Sequence, residues 1–115
     1  VPPRDWRRRV EEILDALDAI FSFTKGMDFG AFSSDRRTVD AVIKNIAVMG
    51  EAAKGISEDL RKAHPEIPWD EMRDIRNILI YEYFGTSHPI LWETVIRDLP
   101  PLAEKLKAVL QSPGP

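Results

Sequence analysis

Apolar residues recur at spacings of three and four along most of this chain and nowhere alternate with period two over a useful length. This pattern constrains the fold most strongly. A 3.6-residue period gathers apolar side chains into one helical stripe, whereas the same order on a strand would scatter them over both faces. Trp6, Val10, Ile13, Leu14, Leu17, Ile20 and Phe21 form the first stripe, with Asp5 placed to cap its start and Gly26 its end. Residues Met27 to Ser34 read as a connection with room for one short helical turn. A second helix is predicted from Ser34 or Asp35, burying Val39, Val42, Ile43, Ile46, Met49, Ala53 and Ile56. Ala47, Gly50, Ala52, Ala53 and Gly55 are small enough to let another helix approach closely.

Capping residues and prolines divide the rest. Ser57, Glu58 and Asp59 open a short helix that ends near His64-Pro65. Pro65-Glu66-Ile67-Pro68-Trp69 is a stiff connection, and Pro68 suits the first turn of a third long helix, where its missing N–H costs nothing. That helix is predicted to run to about Phe84 and to stop at Gly85. A last helical region begins near Pro89. Pro100 and Pro101 predict a kink or restart there, with Asp98 as a cap, because proline removes a donor and clashes with the preceding turn. Leu102, Leu106, Val109 and Leu110 continue the apolar face, and Gln111 to Pro115 are expected to fray. The expectation is a single all-α domain over residues 1–115, an antiparallel bundle of four to five helices.

Composition excludes several function classes. The 115 residues contain no cysteine, which rules out disulfides and thiolate metal sites. The two histidines, His64 and His88, each precede a proline and read as surface or capping residues, too few and too far apart for a metal motif. No glycine-rich phosphate loop or serine elbow is present, so no cofactor is expected. No apolar run approaches the ~20 residues that span a bilayer, and no signal-peptide order is seen. A cytoplasmic protein without a membrane partner is the expectation. The net charge of −3 argues against broad nonspecific nucleic-acid binding but leaves room for a local basic cleft. Arg7 to Arg9, Arg36 with Arg37, and Arg73 with Arg76 are the basic clusters, each most simply a solvated helix face.

One stretch is unusual for a plain helix: Met72-Arg73-Asp74-Ile75-Arg76-Asn77-Ile78-Leu79-Ile80-Tyr81-Glu82-Tyr83-Phe84-Gly85. It sets two arginines, an asparagine and two tyrosines among strongly apolar residues. Arg76 and Tyr83 are about two turns apart and share a face, whereas Tyr81 is turned roughly 140° from Arg76. A site using both Arg76 and Tyr81 therefore needs a second helix or a second subunit to complete it.

Arg76, Asn77, Tyr83, Phe84 and Gly85 resemble the motif of HepT-like toxins of the HEPN superfamily, which carry Arg-Asn, a short apolar run and His-x-Tyr-Phe-Gly. The resemblance extends to Gly50-Glu51-Ala52 in the second helix, to the Pro65–Trp69 lead-in, and to Trp92-Glu93-Thr94-Val95 and Asp98-Leu99-Pro100-Pro101-Leu102. It implies a toxin-type, metal-independent ribonuclease acting as a homodimer with its motif helices face to face. It also implies an RNA substrate, with Arg76 bracing phosphate and Asn77 orienting the motif. The family's histidine is replaced here by Tyr81. A phenol with a reference pKa near ~10 is a poor base at neutral pH, where imidazole, near ~6.5, is well suited. The resemblance therefore implies RNA cleavage that is weakened or absent in this form. It further implies that an MntA-like nucleotidyltransferase antitoxin transfers AMP onto Tyr83, placing bulk and negative charge beside Arg76. Glu51 is a candidate to pair with an arginine of the motif helix; Arg73, Asp40 and Asn45 are candidates to support the cleft. The competing reading, prompted by Tyr81, is a non-catalytic HEPN module that pairs with a nucleotidyltransferase or binds RNA.

Overall fold

The computed structural model describes residues 5–75 and 88–115. Its described elements are helical, with no strand among them: α1 (Asp5–Thr24), α2 (Phe29–Ser34), α3 (Arg36–Lys54), α4 (Glu58–Ala63), α5 (Trp69–Asp74), α6 (His88–Glu93), a π-helical turn (Thr94–Asp98) and α7 (Leu99–Leu110).

The boundaries follow from local chemistry. Gly26 takes a left-handed conformation, φ +78°, and Met27 N–H reaches back to Thr24 O at 3.0 Å, which stops α1. The Met27–Ser34 connection contains α2, capped by Asp28, whose carboxylate accepts from Ala31 N–H at 2.8 Å. Asp35 caps α3 by accepting from Thr38 N–H at 3.2 Å and from the Thr38 hydroxyl at 2.9 Å. Those hydrogen bonds hold its carboxyl below the ordinary aspartate range. Ser57 caps α4 through Leu60 N–H at 3.3 Å, and His64 ends it.

The centre of the bundle is the α1–α3 pair, with α7 resting on α1 and α5 on α3. Val10, Ile13, Leu17 and Ile20 of α1 are fully enclosed, as are Val42, Ile46 and Met49 of α3. Leu91, Leu99 and Leu106 close the other side. Each such side chain contributes about 1.5–3 kcal/mol of transfer free energy. Trp69 is core, 5% exposed, and Trp92 stacks on the buried Phe32 of α2, ring centroids 4.9 Å apart.

The restart expected at Pro100 and Pro101 is present as a π-helical turn before α7, with both prolines in the first turn of α7. Two other expectations are corrected. Asp98 makes no side-chain cap hydrogen bond, since the backbone stays helical through Asp98 and Leu99. The preceding turn widens instead, so that Leu99 N–H bonds to Thr94 O, five residues back. The residues after α7 are not frayed. Arg7 donates to Leu110 O at 2.7 Å and to Ser112 O at 2.9 Å. Gly114, φ +91°, lies flat on the Trp6 indole, where an added Cβ would sit 2.9 Å from Cζ2.

Candidate active site

The motif lies between two well-anchored flanks. On the near side, α5 begins at Trp69, whose indole N–H donates to His64 O at 2.9 Å while its backbone N–H bonds Ile67 O at 2.9 Å. This fixes the entry to the helix. α5 then crosses α3 at Gly50, where a Cβ would meet Met72 O at 3.1 Å and Arg73 O at 3.7 Å. The small-residue face predicted for the second helix is therefore the surface on which the motif helix starts. On the far side, the Phe32–Trp92 contact pins α6 to α2.

Arg76, Asn77, Tyr81 and Tyr83 lie outside the described residues, as do the predicted helix end at Phe84 and stop at Gly85. Of the supporting candidates, Arg73 is on α5 with its side chain 41% exposed, 3.0 Å from Asp74 and 3.4 Å from Asp70. The Asp74 carboxylate, with Asp70 behind it, locks the guanidinium further into its charged form. Glu51 is exposed on α3, next to the Gly50 crossing, and forms no ion pair with a described residue. Asp40 pairs with Arg36 of its own helix at 3.7 Å, and the Asn45 amide donates to Ala41 O at 2.8 Å. Asp40 is ten residues from Gly50, about 15 Å along α3. Among the described residues, then, only Arg73 and Glu51 are brought near the start of the motif.

Sequence reasoning did not foresee a groove beside α5. It encloses about 280 Å³, with Met49, Met72, Ile75 and Leu102 as apolar walls and Glu71 and Asp98 among its polar lining residues. His64, read as a capping residue, is one, and it also carries long-range contacts: Nδ1 lies 3.0 Å from Glu66 and Nε2 3.3 Å from the Ser112 hydroxyl. Among the described residues, no group of three or more His, Asp or Glu side chains is arranged to hold a metal ion. No helix of the described residues is long and apolar enough to cross a membrane.

The described elements are all helical, as the resemblance to HEPN proteins implies. The family model described as Ribonuclease HepT-like matches residues 13–109. The chain is 40% identical over 104 residues to the "Probable ribonuclease HepT" of Thermococcus cleftensis, covering 90% of this chain and 94% of that protein. It is 34% identical over 111 residues to a "Putative RNase" of Methanocaldococcus jannaschii, covering 96% and 92% of the two chains. A "Putative RNase" of Caldanaerobacter subterraneus is 33% identical over 105 residues, 91% of this chain and 94% of that protein. No solved structure matches. The chain belongs to the HepT-like ribonuclease family of the HEPN superfamily.

Proposed function

We propose that this chain is the toxin of a toxin–antitoxin pair, built on a metal-independent ribonuclease scaffold and disarmed or weakened by Tyr81. The observation that carries the reading is the family match over residues 13–109, which spans Arg76-Asn77 and Tyr83-Phe84-Gly85, the parts of the motif this chain keeps. Arg76 binds the scissile phosphate of RNA and stabilises the charge that builds on it in the transition state. Asn77 orients the motif by hydrogen bonding. The residue at position 81 occupies the acid–base place, and general acid–base help is typically worth ~10²–10⁴-fold. Tyr81 can hydrogen-bond or stack on a base but cannot exchange protons efficiently at neutral pH. Glu51, exposed on α3 next to Gly50, would orient an arginine of the motif helix. Arg73 stands at the approach with its charge shared with Asp70 and Asp74, and Asp40 and Asn45 stand farther along α3. Because helical spacing would turn Arg76 and position 81 roughly 140° apart, the cleft calls for a homodimer with facing motif helices.

Regulation follows from Tyr83. An MntA-like nucleotidyltransferase would bring ATP to the phenol. The phenolic oxygen attacks the α-phosphorus, the bond to pyrophosphate breaks, and the phenolic proton passes to a base of the enzyme. The attached AMP then occupies the phosphate site by Arg76 and repels RNA.

The test is to express the chain as it stands and with Tyr81→His, and to measure growth arrest and RNA cleavage. The histidine form should arrest growth and cleave RNA, and adding Arg76→Ala should abolish both. An inert histidine form that Arg76→Ala leaves unchanged defeats the ribonuclease reading. It would favour the second reading, a non-catalytic module that pairs with the nucleotidyltransferase or binds RNA, which the tyrosine at position 81 already supports. Incubation with the partner and ATP should add mass in multiples of AMP on Tyr83; an active partner that adds none refutes the modification.

A further inference from the structure

α5 has no side-chain cap, yet its entry is closely held, and two of the hydrogen bonds that hold it converge on one atom. The His64 carbonyl stands at the end of α4 and has two lone pairs to offer. It accepts Ile67 N–H at 3.2 Å and the Trp69 indole N–H at 2.9 Å. Between those donors, Pro68 takes φ −80° and ψ 67°, and Trp69 N–H bonds back to Ile67 O at 2.9 Å, the geometry of an inverse γ-turn. The proline ring locks φ of that turn. The corner from His64 to Trp69 is therefore stiff in its backbone, and the indole stitches it to α4. The Arg61–Asp70 pair also joins α4 to α5, at 3.8 Å, but its side chains are 36% and 74% exposed, and pairs of that kind hold little.

Apolar burial alone does not call for an indole here. At 5% exposure the ring needs an acceptor for its N–H, because a buried donor left unmet is costly, and a purely apolar ring carries no such demand. Direction is what the bond adds. α5 meets α3 closely at Gly50, where Met72 O and Arg73 O approach. A helix held at such a crossing can still swing about it, and a second fixed point stops the swing. Trp69 supplies that point about one turn upstream. A swing of about 10° displaces a point one helical turn past the crossing by about 1 Å. Arg76 comes at that distance in the chain, directly after Ile75.

We propose that Trp69 is a positioning residue for the motif: its indole N–H, held by the His64 carbonyl, sets the direction in which α5 leads into Arg76. The role rests on the ribonuclease reading of that motif. Trp69 is enclosed and acts through α5 rather than on RNA.

The experiment exchanges the indole for rings of nearly the same shape in the full chain carrying Tyr81→His. 3-Benzothienylalanine at position 69 puts sulfur in place of the N–H, whereas 5-fluorotryptophan at the same position keeps the N–H. On a fluorogenic single-stranded RNA oligonucleotide of mixed sequence, the benzothiophene form should lose about ten-fold in kcat, within the cost of a misplacement of ~1 Å. Its KM should stay within about two-fold of the parent, as expected when orientation and not binding is lost. The fluorotryptophan form should match the parent. Loss of one hydrogen bond leaves a domain of ordinary stability almost wholly folded, so a lower kcat reports geometry and not unfolding. Amide hydrogen exchange adds an arm that needs no activity. Met72 N–H, bonded to Pro68 O at 3.0 Å in the first turn of α5, should exchange about five-fold faster in the benzothiophene form, after correction for any change at Leu17 in the core of α1. Parental kcat in the benzothiophene form overturns the proposal and leaves the ribonuclease reading standing. An equal loss in the fluorotryptophan form assigns the effect to packing and overturns it as well. A Tyr81→His parent that does not cleave defeats the ribonuclease reading, and unchanged Met72 exchange then overturns the anchoring by the indole on its own.

Discussion

Replacing Gly50 by valine tests how the fold places the motif helix. At Gly50 the backbones of α3 and α5 meet with nothing between them: an added Cβ would lie 3.1 Å from Met72 O and 3.7 Å from Ile75 Cγ2. Alanine needs a shift of only a few tenths of an ångström and gains up to ~1 kcal/mol of helix propensity over glycine, so Gly50→Ala should be near neutral. Valine differs in kind. Its two γ carbons extend about 1.5 Å beyond Cβ, and in a helix one rotamer is strongly preferred, so the side chain cannot swing both away. α5 must then move by roughly 1 Å, at a cost of about 1–3 kcal/mol of overpacking. A domain with 5–15 kcal/mol of stability, roughly, survives that loss. The motif does not escape it, because Arg76 follows Ile75 directly. A displacement of ~1 Å can cost on the order of 10²-fold in rate. Urea unfolding of Gly50→Val should therefore show a lower midpoint with an unchanged slope. In the Tyr81→His background, RNA cleavage should fall 10- to 100-fold, roughly, while the fold persists. Stability within ~0.5 kcal/mol of the parent, together with undiminished cleavage, would refute the idea that this crossing positions the motif. The stability arm stands even if the histidine form proves inert.

Two further predictions concern charge. Asp35 has a depressed folded-state value relative to 3.8, so its contribution is present above the unfolded value and is lost as pH falls through the folded one. The deficit of Asp35→Asn should thus be visible by urea unfolding at pH 7 and shrink as the pH is taken below the ordinary aspartate range, and a pH-independent deficit contradicts a contribution from the charge at this cap. Arg7→Met keeps much of the apolar stem over Trp6 but removes the donors to Leu110 O and Ser112 O. It should cost about 1–3 kcal/mol and make the residues after α7 the first target of limited proteolysis; an unchanged cleavage pattern argues against the clamp.

Most helix ends were legible because the caps are local. Asp35, Ser57 and Gly26 act on residues two to four positions away, and three-residue spacing is visible in a sequence. The small-residue face around Gly50 was legible for a similar reason, since side-chain size alone reports how near a helix can come. The supporting site residues were harder. Asp40 is paired with Arg36 four positions before it, Arg73 with Asp70 three before, and Asn45 returns its amide to Ala41. Each of those partners stands at helical spacing, and local partners at i±3 and i±4 compete with any role in a cleft. The clamp after α7 had no local signal at all. Its contacts join Arg7 to Leu110 and His64 to Ser112, and only the packing of α7 on α1 brings them together.

The proline pair shows how a strong local rule can yield to a tertiary one. Leu91, Val95 and Leu99 are all buried, and so are Leu102, Leu106 and Val109 beyond them. Two successive steps of four residues drift about 80° around a straight α-helix, which would carry Leu99 toward the edge of the face set by Leu91. Pro100 and Pro101 meanwhile cannot supply N–H groups to the turn before them and would press on its carbonyls. One wider turn answers both problems. Leu99 N–H reaches Thr94 O, the backbone makes room for the proline rings, and the surplus rotation is taken up before α7 begins. The same widening sets Thr94 and Asp98 along the groove beside α5. The apolar spacing of four and four before Pro-Pro was therefore the readable signal of continuity, and the prolines marked where the helix changes its pitch.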